Sequence, residues 1–131
     1  MMEPYLFTEG LLPEGFLFPH SYIDFVSRES IPDLDPWWFL CTSQRDADGW
    51  FQAVKKLYPE RKLVPFALWD GSDDIACFDA SVPTADPLVH YVHAYASSGW
   101  EDRGHVANFT EWLKVTEEES ARYKTEREEG R

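Results

Sequence analysis

Two kinds of side chain in this sequence could do chemistry if they were brought together: the carboxylates of Asp70-Gly71-Ser72-Asp73-Asp74 and the four histidines. The acidic run invites calcium, which takes roughly six to eight oxygen ligands. Its order differs from that of a calcium loop, which alternates its ligands and needs Gly and Glu at fixed later places. The same residues suit a glycine-containing turn whose aspartates accept backbone hydrogen bonds, or a cluster facing a partner. His90 and His93 would share one face of a helix, but the Val- and Tyr-rich pattern of Leu88 to Tyr95 predicts a strand, where they point to opposite faces and cannot share a metal. His20 and His105 stand near expected helix starts, where the helix dipole disfavours a charged imidazole. Ser97-Ser98-Gly99 lacks a nucleophile elbow, and phosphate-loop and dinucleotide fingerprints are absent. Carboxylate pairs abound, but a general acid needs a pocket that shifts one of them. The expectation is a chain with no catalytic residue, no metal and no cofactor.

Charge and aromatic residues suggest binding instead. The formal net charge is -12, from 24 acidic and 12 basic side chains, which repels nucleic acid and anionic membrane and favours a cationic protein. The acids are unevenly placed. Asp70, Asp73, Asp74, Asp79, Asp86, Glu101 and Asp102 follow one another with no Lys or Arg between them, whereas Arg45 to Lys62 holds more bases than acids. Trp37 and Trp38 are adjacent on an expected strand; alternation turns one inward and one outward, while a covering helix would bury both. Trp100 lies in a Ser97 to Gly104 loop that joins an aromatic anchor to acids. The expected contact residues are therefore Asp70, Asp73, Asp74, Asp79, Trp100, Glu101, Asp102 and Trp38, since Trp is enriched at binding hot spots. A pocket lined by Trp69, Trp100 and nearby carboxylates, serving an enzyme or a small-ligand binder, is the alternative. A homodimer built on exposed aromatics is a third.

These residues need elements to position them. At 131 residues and 44% hydrophobic content one domain with one core is expected. No run suits a membrane helix, and Met1 to Gly10 lacks a signal-peptide layout, so a soluble intracellular protein is expected. Cys41 and Cys77, without CxxC spacing, are expected as buried free thiols. Pro19, Tyr22, Ile23, Phe25 and Val26 predict a helix ending near Ile31-Pro32. Trp37 to Thr42 predicts a strand. Trp50, Phe51, Val54, Leu57 and Tyr58 predict a helix capped by Asp46 or Asp48 and stopped by Pro59. Leu63 to Trp69 and Ile75 to Asp79 predict a β-hairpin, with Pro65 marking a strand start or an edge. Asn108 and Glu111 predict a last helix from Phe109, fraying after Glu117. The sum is an α+β domain over 1–116, with an antiparallel-rich sheet of about four strands, helices packed on one face, and a charged C-terminal helical extension or tail over 117–131.

Three stretches resemble the SUKH superfamily, which includes the yeast cell-wall assembly regulator and many bacterial immunity proteins. Pro19-His20-Ser21-Tyr22-Ile23-Asp24-Phe25-Val26 is similar to its first helix. Leu63-Val64-Pro65-Phe66-Ala67-Leu68-Trp69-Asp70-Gly71 through Ser72-Asp73-Asp74-Ile75-Ala76-Cys77-Phe78-Asp79 is similar to its central hairpin. Ala107-Asn108-Phe109-Thr110-Glu111-Trp112-Leu113 is similar to its closing helix. Ser27 to Pro32 departs from the Asn-Gly turn usual after the first helix. The resemblance implies an α+β fold, no known catalytic activity and, in bacteria, neutralisation of a toxin from a rival cell; a regulatory adaptor is the alternative role, and the cytoplasmic location is the one expected above from the missing membrane and signal-peptide patterns. With the acidity above, the expected partner is a basic toxin domain, such as a nuclease, bound by a monomer or homodimer.

Overall fold

The computed structural model describes residues 5–6, 12–28, 30–70, 74–82, 84–93 and 102–129. Its order is α1 (His20–Val26), β1 (Trp37–Phe39) with a 3-10 turn at Leu40–Thr42, α2 (Gln44–Leu57), β2 (Leu63–Trp69), β3 (Asp74–Asp79), β4 (Val89–His93), β5 (Asp102–Val106) and α3 (Phe109–Glu129). The strands form one sheet in chain order, and every neighbouring pair is antiparallel. The α+β class expected from sequence is the one observed. The sheet has five strands where about four were expected, because Asp102–Val106 pairs with β4 although it carries little apolar character. None of the described helices is long and apolar enough to cross a membrane.

The helices divide between the two faces of the sheet, which corrects the expectation of a single covered face. Ile75, Ala76, Cys77 and Phe78 are all fully buried, and four consecutive buried strand residues need cover on both sides. Ala76 and Phe78 join Val64 and Phe66 under Tyr22 of α1 and Phe109 and Trp112 of α3. Ile75 and Cys77 join Leu63, Val92 and Val54 of α2. On the larger side the packing is ring against ring, with Phe66 stacked on Phe78 at 4.3 Å and edge-on to Trp112 at 5.0 Å. Such pairs add about 0.5–1.5 kcal/mol each beyond the area they bury. Cys41 and Cys77 are free and buried.

Local chemistry sets the ends of the elements. Pro19 sits at the N-cap of α1, which stops at Ser27, ahead of the expected Ile31-Pro32 break. Ser43, rather than Asp46 or Asp48, caps α2: its hydroxyl accepts the Asp46 N–H at 3.3 Å. Pro65 lies inside a central strand, yet β1 pairs only with Ala67, Leu68 and Trp69, and the β3 register shifts between Pro65 and Ala67. The missing N–H therefore costs no ladder bond. Asn108 Oδ1 accepts the Glu111 N–H at 2.9 Å and starts α3.

The residues from Glu117 continue α3 to Glu129, so of the two forms expected for this stretch it takes the helical extension and does not fray after Glu117. Thr116 and Ser120 are buried. Lys124 Nζ donates to the Asp33 carbonyl at 2.7 Å, and Arg127 pairs with Asp35 at 3.8 Å. These contacts tie the end of α3 to the loop that leads into β1.

Candidate functional site

Strand register decides which of the expected acids meet. Asp74 opposes His93, and Val92 opposes Asp102, so the start of β3, the end of β4 and the start of β5 share one end of the sheet. Trp69 closes β2 at that same end, and the Asp70 N–H donates to the Pro36 carbonyl at 2.7 Å. Asp70 and Asp74 thus lie at one end of the sheet with Asp33 and Asp35 of the adjoining loop, and the backbone of Asp102 opens β5 at that end. Asp79 does not join them. It ends β3 at the opposite end and on the opposite face, which divides a set expected on one surface. Asp73, Trp100 and Glu101 lie outside the described residues.

The two strand aspartates each hold a histidine. Asp74 meets His93 Nδ1 at 2.6 Å, and Asp79 meets His90 Nε2 at 3.1 Å. Burial alone would raise the Asp79 carboxyl, but hydrogen bonds from Ser81 and His90 outweigh it and hold the group below its ordinary value. The serine bonds to the aspartate and not to the histidine, so the Ser–His contact that activates a nucleophile is missing. His90 and His93 belong to opposite faces, as expected. His105 is not at a helix start; it opposes His90 across β4 and β5, with the rings 5.5 Å apart. Among the described residues no three His, Cys, Asp or Glu side chains stand close enough to hold a metal.

At the acidic end, β1 separates two recesses. Trp38 is 53% exposed and Trp37 is 4% exposed, so alternation sends one outward and one into the fold. Along the outer edge of β1 runs a groove of about 420 Å³, lined by Trp38, Trp50 and Leu68 with Asp33, Asp35 and Asp46. It continues along α2 past Gly49, over which there is open space.

On the inner side lies a cleft of about 280 Å³ walled by Trp37, Trp69 and Tyr91, with Asp74 and Glu119. Trp37 and Trp69 stand perpendicular at 5.3 Å, and Tyr91 is tilted to Trp37 at 6.0 Å. Register builds this arrangement: Trp37 opposes Trp69, while Ala67 and Ala76 hold the row between Phe39 and Tyr91 and leave space above the sheet. The fourth side is α3, whose Trp112 meets Trp37 at 5.7 Å and whose later turns carry Thr116, Glu119 and Ser120.

The inner cleft is electrostatically unusual. Burial raises the Glu119 carboxyl above its ordinary value, with Trp37 and Arg122 acting against the rise. Burial, helped by the Glu119 charge, pushes the Tyr91 hydroxyl up to about 12. The Tyr91 hydroxyl, the indole nitrogen of Trp112 and the hydroxyls of Thr116 and Ser120 are buried without a partner within hydrogen-bonding distance, while the Trp37 indole is turned toward Glu119. Buried polar groups are normally satisfied, so this concentration under one helix marks a place where the fold is not optimised for itself.

Of the pocket expected from Trp69, Trp100 and nearby carboxylates, Trp69 does line a recess with Asp74 while Trp100 lies outside the described residues; Trp37, Tyr91 and Glu119 carry no sequence signal for it. Glu119 falls in a run that reads as a charged tail, and only its burial within α3 distinguishes it from its neighbours. Comparison with family models, with characterised proteins and with solved structures finds no match.

Proposed function

We propose that this chain is a non-catalytic binding domain for a cationic protein, which docks on the outer groove and the acidic end of the sheet. The observation that carries this is Trp38: a tryptophan 53% exposed on an edge strand, between Trp50, Leu68 and the carboxylates Asp33, Asp35 and Asp46. Large aromatic side chains are enriched at binding hot spots; Asp46 beside Trp38 favours a basic partner, and Asp33 and Asp35, which meet Lys124 and Arg127 at 3.8 Å, exchange those exposed contacts for the partner's cations. Gly49 adds support. An interior helix glycine weakens α2, and here it leaves open surface on which a partner backbone can approach. Asp70 and Asp74 extend the negative field from the groove along the sheet end, which favours fast, salt-sensitive association.

The resemblance to the SUKH superfamily supplies the partner class: a toxin domain, for which this chain is the immunity protein. A nuclease toxin fits best, because its phosphate-binding cleft is basic and a carboxylate-bearing surface can occupy it. The test is quantitative capture of partners from lysate of the native host at low and high salt, with Trp38→Ala and with the double variant Asp70→Asn, Asp74→Asn. The expected result is a partner lost at high salt, weakened about thirtyfold by Trp38→Ala and by a smaller factor in the double variant. Capture that both variants leave undiminished overturns the assignment.

A further inference from the structure

The inner cleft points to a second ligand. We propose that the recess walled by Trp37, Trp69 and Tyr91, with Glu119 on its α3 side, binds a methylated ammonium head group. It shares no wall with the Trp38 surface apart from β1 itself, so this proposal and the docking proposal can fail separately.

Three features select that chemistry. The first is the walls. Three aromatic rings, two of them perpendicular, offer π faces and edges around one small volume, and a cation within about 6 Å of a ring centroid is attracted to its face. The second is the charge. Asp74 and Glu119 are the only charged side chains lining the recess among the described residues, both negative, and Asp74 already holds His93. That leaves Glu119 as the counter-charge, which Arg122, outside the recess lining, offsets only in part, since burial still outweighs it. The third is the hydrogen-bonding demand. A primary ammonium brings three donors and a guanidinium five, all needing acceptors once they leave water. A quaternary ammonium brings none, and its methyl groups pack on the rings that form most of the recess.

The fold itself gains little from this arrangement. A carboxylate held in a half-buried aromatic recess is disfavoured when ionised, and burial is the main reason its proton is retained to higher pH. A cation in the recess would reverse that disadvantage. The head group has two possible sources, a free choline-like molecule or a trimethyllysine side chain on a polypeptide, and the test distinguishes them.

The experiment is a calorimetric titration of the full chain with choline, with its uncharged isostere 3,3-dimethylbutan-1-ol, and with a trimethyllysine peptide beside the unmodified peptide. Choline and the trimethyllysine peptide are expected to bind. The isostere is expected to bind at least about tenfold more weakly, because it has the shape without the charge. Trp69→Ala should weaken choline by about tenfold, and Glu119→Gln by about five- to tenfold. Glu119→Gln is isosteric and removes a charge the fold disfavours, so it tests the site even if Trp69→Ala unfolds. Trp38→Ala should leave choline binding unchanged. A peptide much tighter than choline assigns the head group to a polypeptide; equal affinities assign it to a free molecule. No binding of either cation, an isostere that matches choline, or indifference to Glu119→Gln overturns the proposal.

Discussion

Trp37 and Trp38 are consecutive residues of one three-residue strand, and they end up with opposite duties. The inner one is fixed by Trp69, Tyr91 and Trp112, and its indole is part of the fold's ring-packed interior. The outer one rests on the rim of a groove and is half exposed. Residue type is the same on both sides, so parity along the strand, combined with which helix covers which face, decides whether an indole holds the structure or is offered to a partner. Both sides nevertheless keep one residue that the fold would be more stable without. On the outer side it is Gly49 in the middle of α2, and on the inner side it is Glu119 within the aromatic recess. Positions that weaken a fold without an internal reason are where function is expected to be read.

The largest test of this contrast is a pair of truncations. Trp37→Ala removes a buried ring that contacts three others, and about 3–5 kcal/mol of stability should go with it. Trp38→Ala should shift stability by no more than about 0.5 kcal/mol, since most of the side chain is in water already. Urea unfolding of both variants against wild type measures the difference. Equal losses would mean that Trp38 is structural, and the groove would lose its anchor.

How much of this was legible in the sequence depends on the element. The hairpin Leu63 to Asp79 reads clearly because an apolar strand, a Pro, an acidic turn and a second apolar strand occur in order. The α2 face reads clearly because Trp50, Phe51, Val54, Leu57 and Tyr58 keep one period. The run Ile75-Ala76-Cys77-Phe78 is apolar on both parities, the pattern of a strand covered on both faces, although the order of elements alone suggests a single covered face. β5 was not legible: Asp102, Arg103, Gly104, His105 and Val106 hold one large apolar residue, and Gly104 adopts φ of +105°. It is a strand because β4 needs a neighbour. Nor could Glu119 be singled out, because Thr116 and Ser120, the buried residues beside it in α3, are polar. The acids fared in between. Charge counting found the segment, but only register could separate Asp79 from Asp70, Asp74 and Asp102.

A smaller change sharpens the outer side. Gly49→Ala should stabilise the protein by about 0.5–1 kcal/mol, because alanine restricts the unfolded chain and suits a helix interior, and no atom lies near the added methyl. If α2 forms part of the docking surface, the same variant should bind the cationic partner more weakly than wild type. Higher melting temperature with weaker capture supports the exposed glycine as a contact. Higher melting temperature with unchanged capture would restrict the contact to β1 and the loop before it.

The smallest effects concern protons, and they carry opposite signs at the two ends of the sheet. Glu119 has a raised value in the folded state, so its contribution to stability is complete below the ordinary glutamate range near about pH 4.3 and is lost as pH climbs through the raised value. Glu119→Gln should therefore be more stable than wild type at neutral pH and converge with it in acid. Asp79 has a lowered value, so its contribution is present above the ordinary aspartate range and is lost as pH falls through the folded value. Asp79→Asn should be less stable than wild type at neutral pH and also converge with it in acid. Melting temperatures of the three proteins across the acid range provide the measurement. If Glu119→Gln lowers the neutral melting temperature instead, the carboxylate is satisfied within the fold, and the inner recess has no uncompensated charge for a cation to meet.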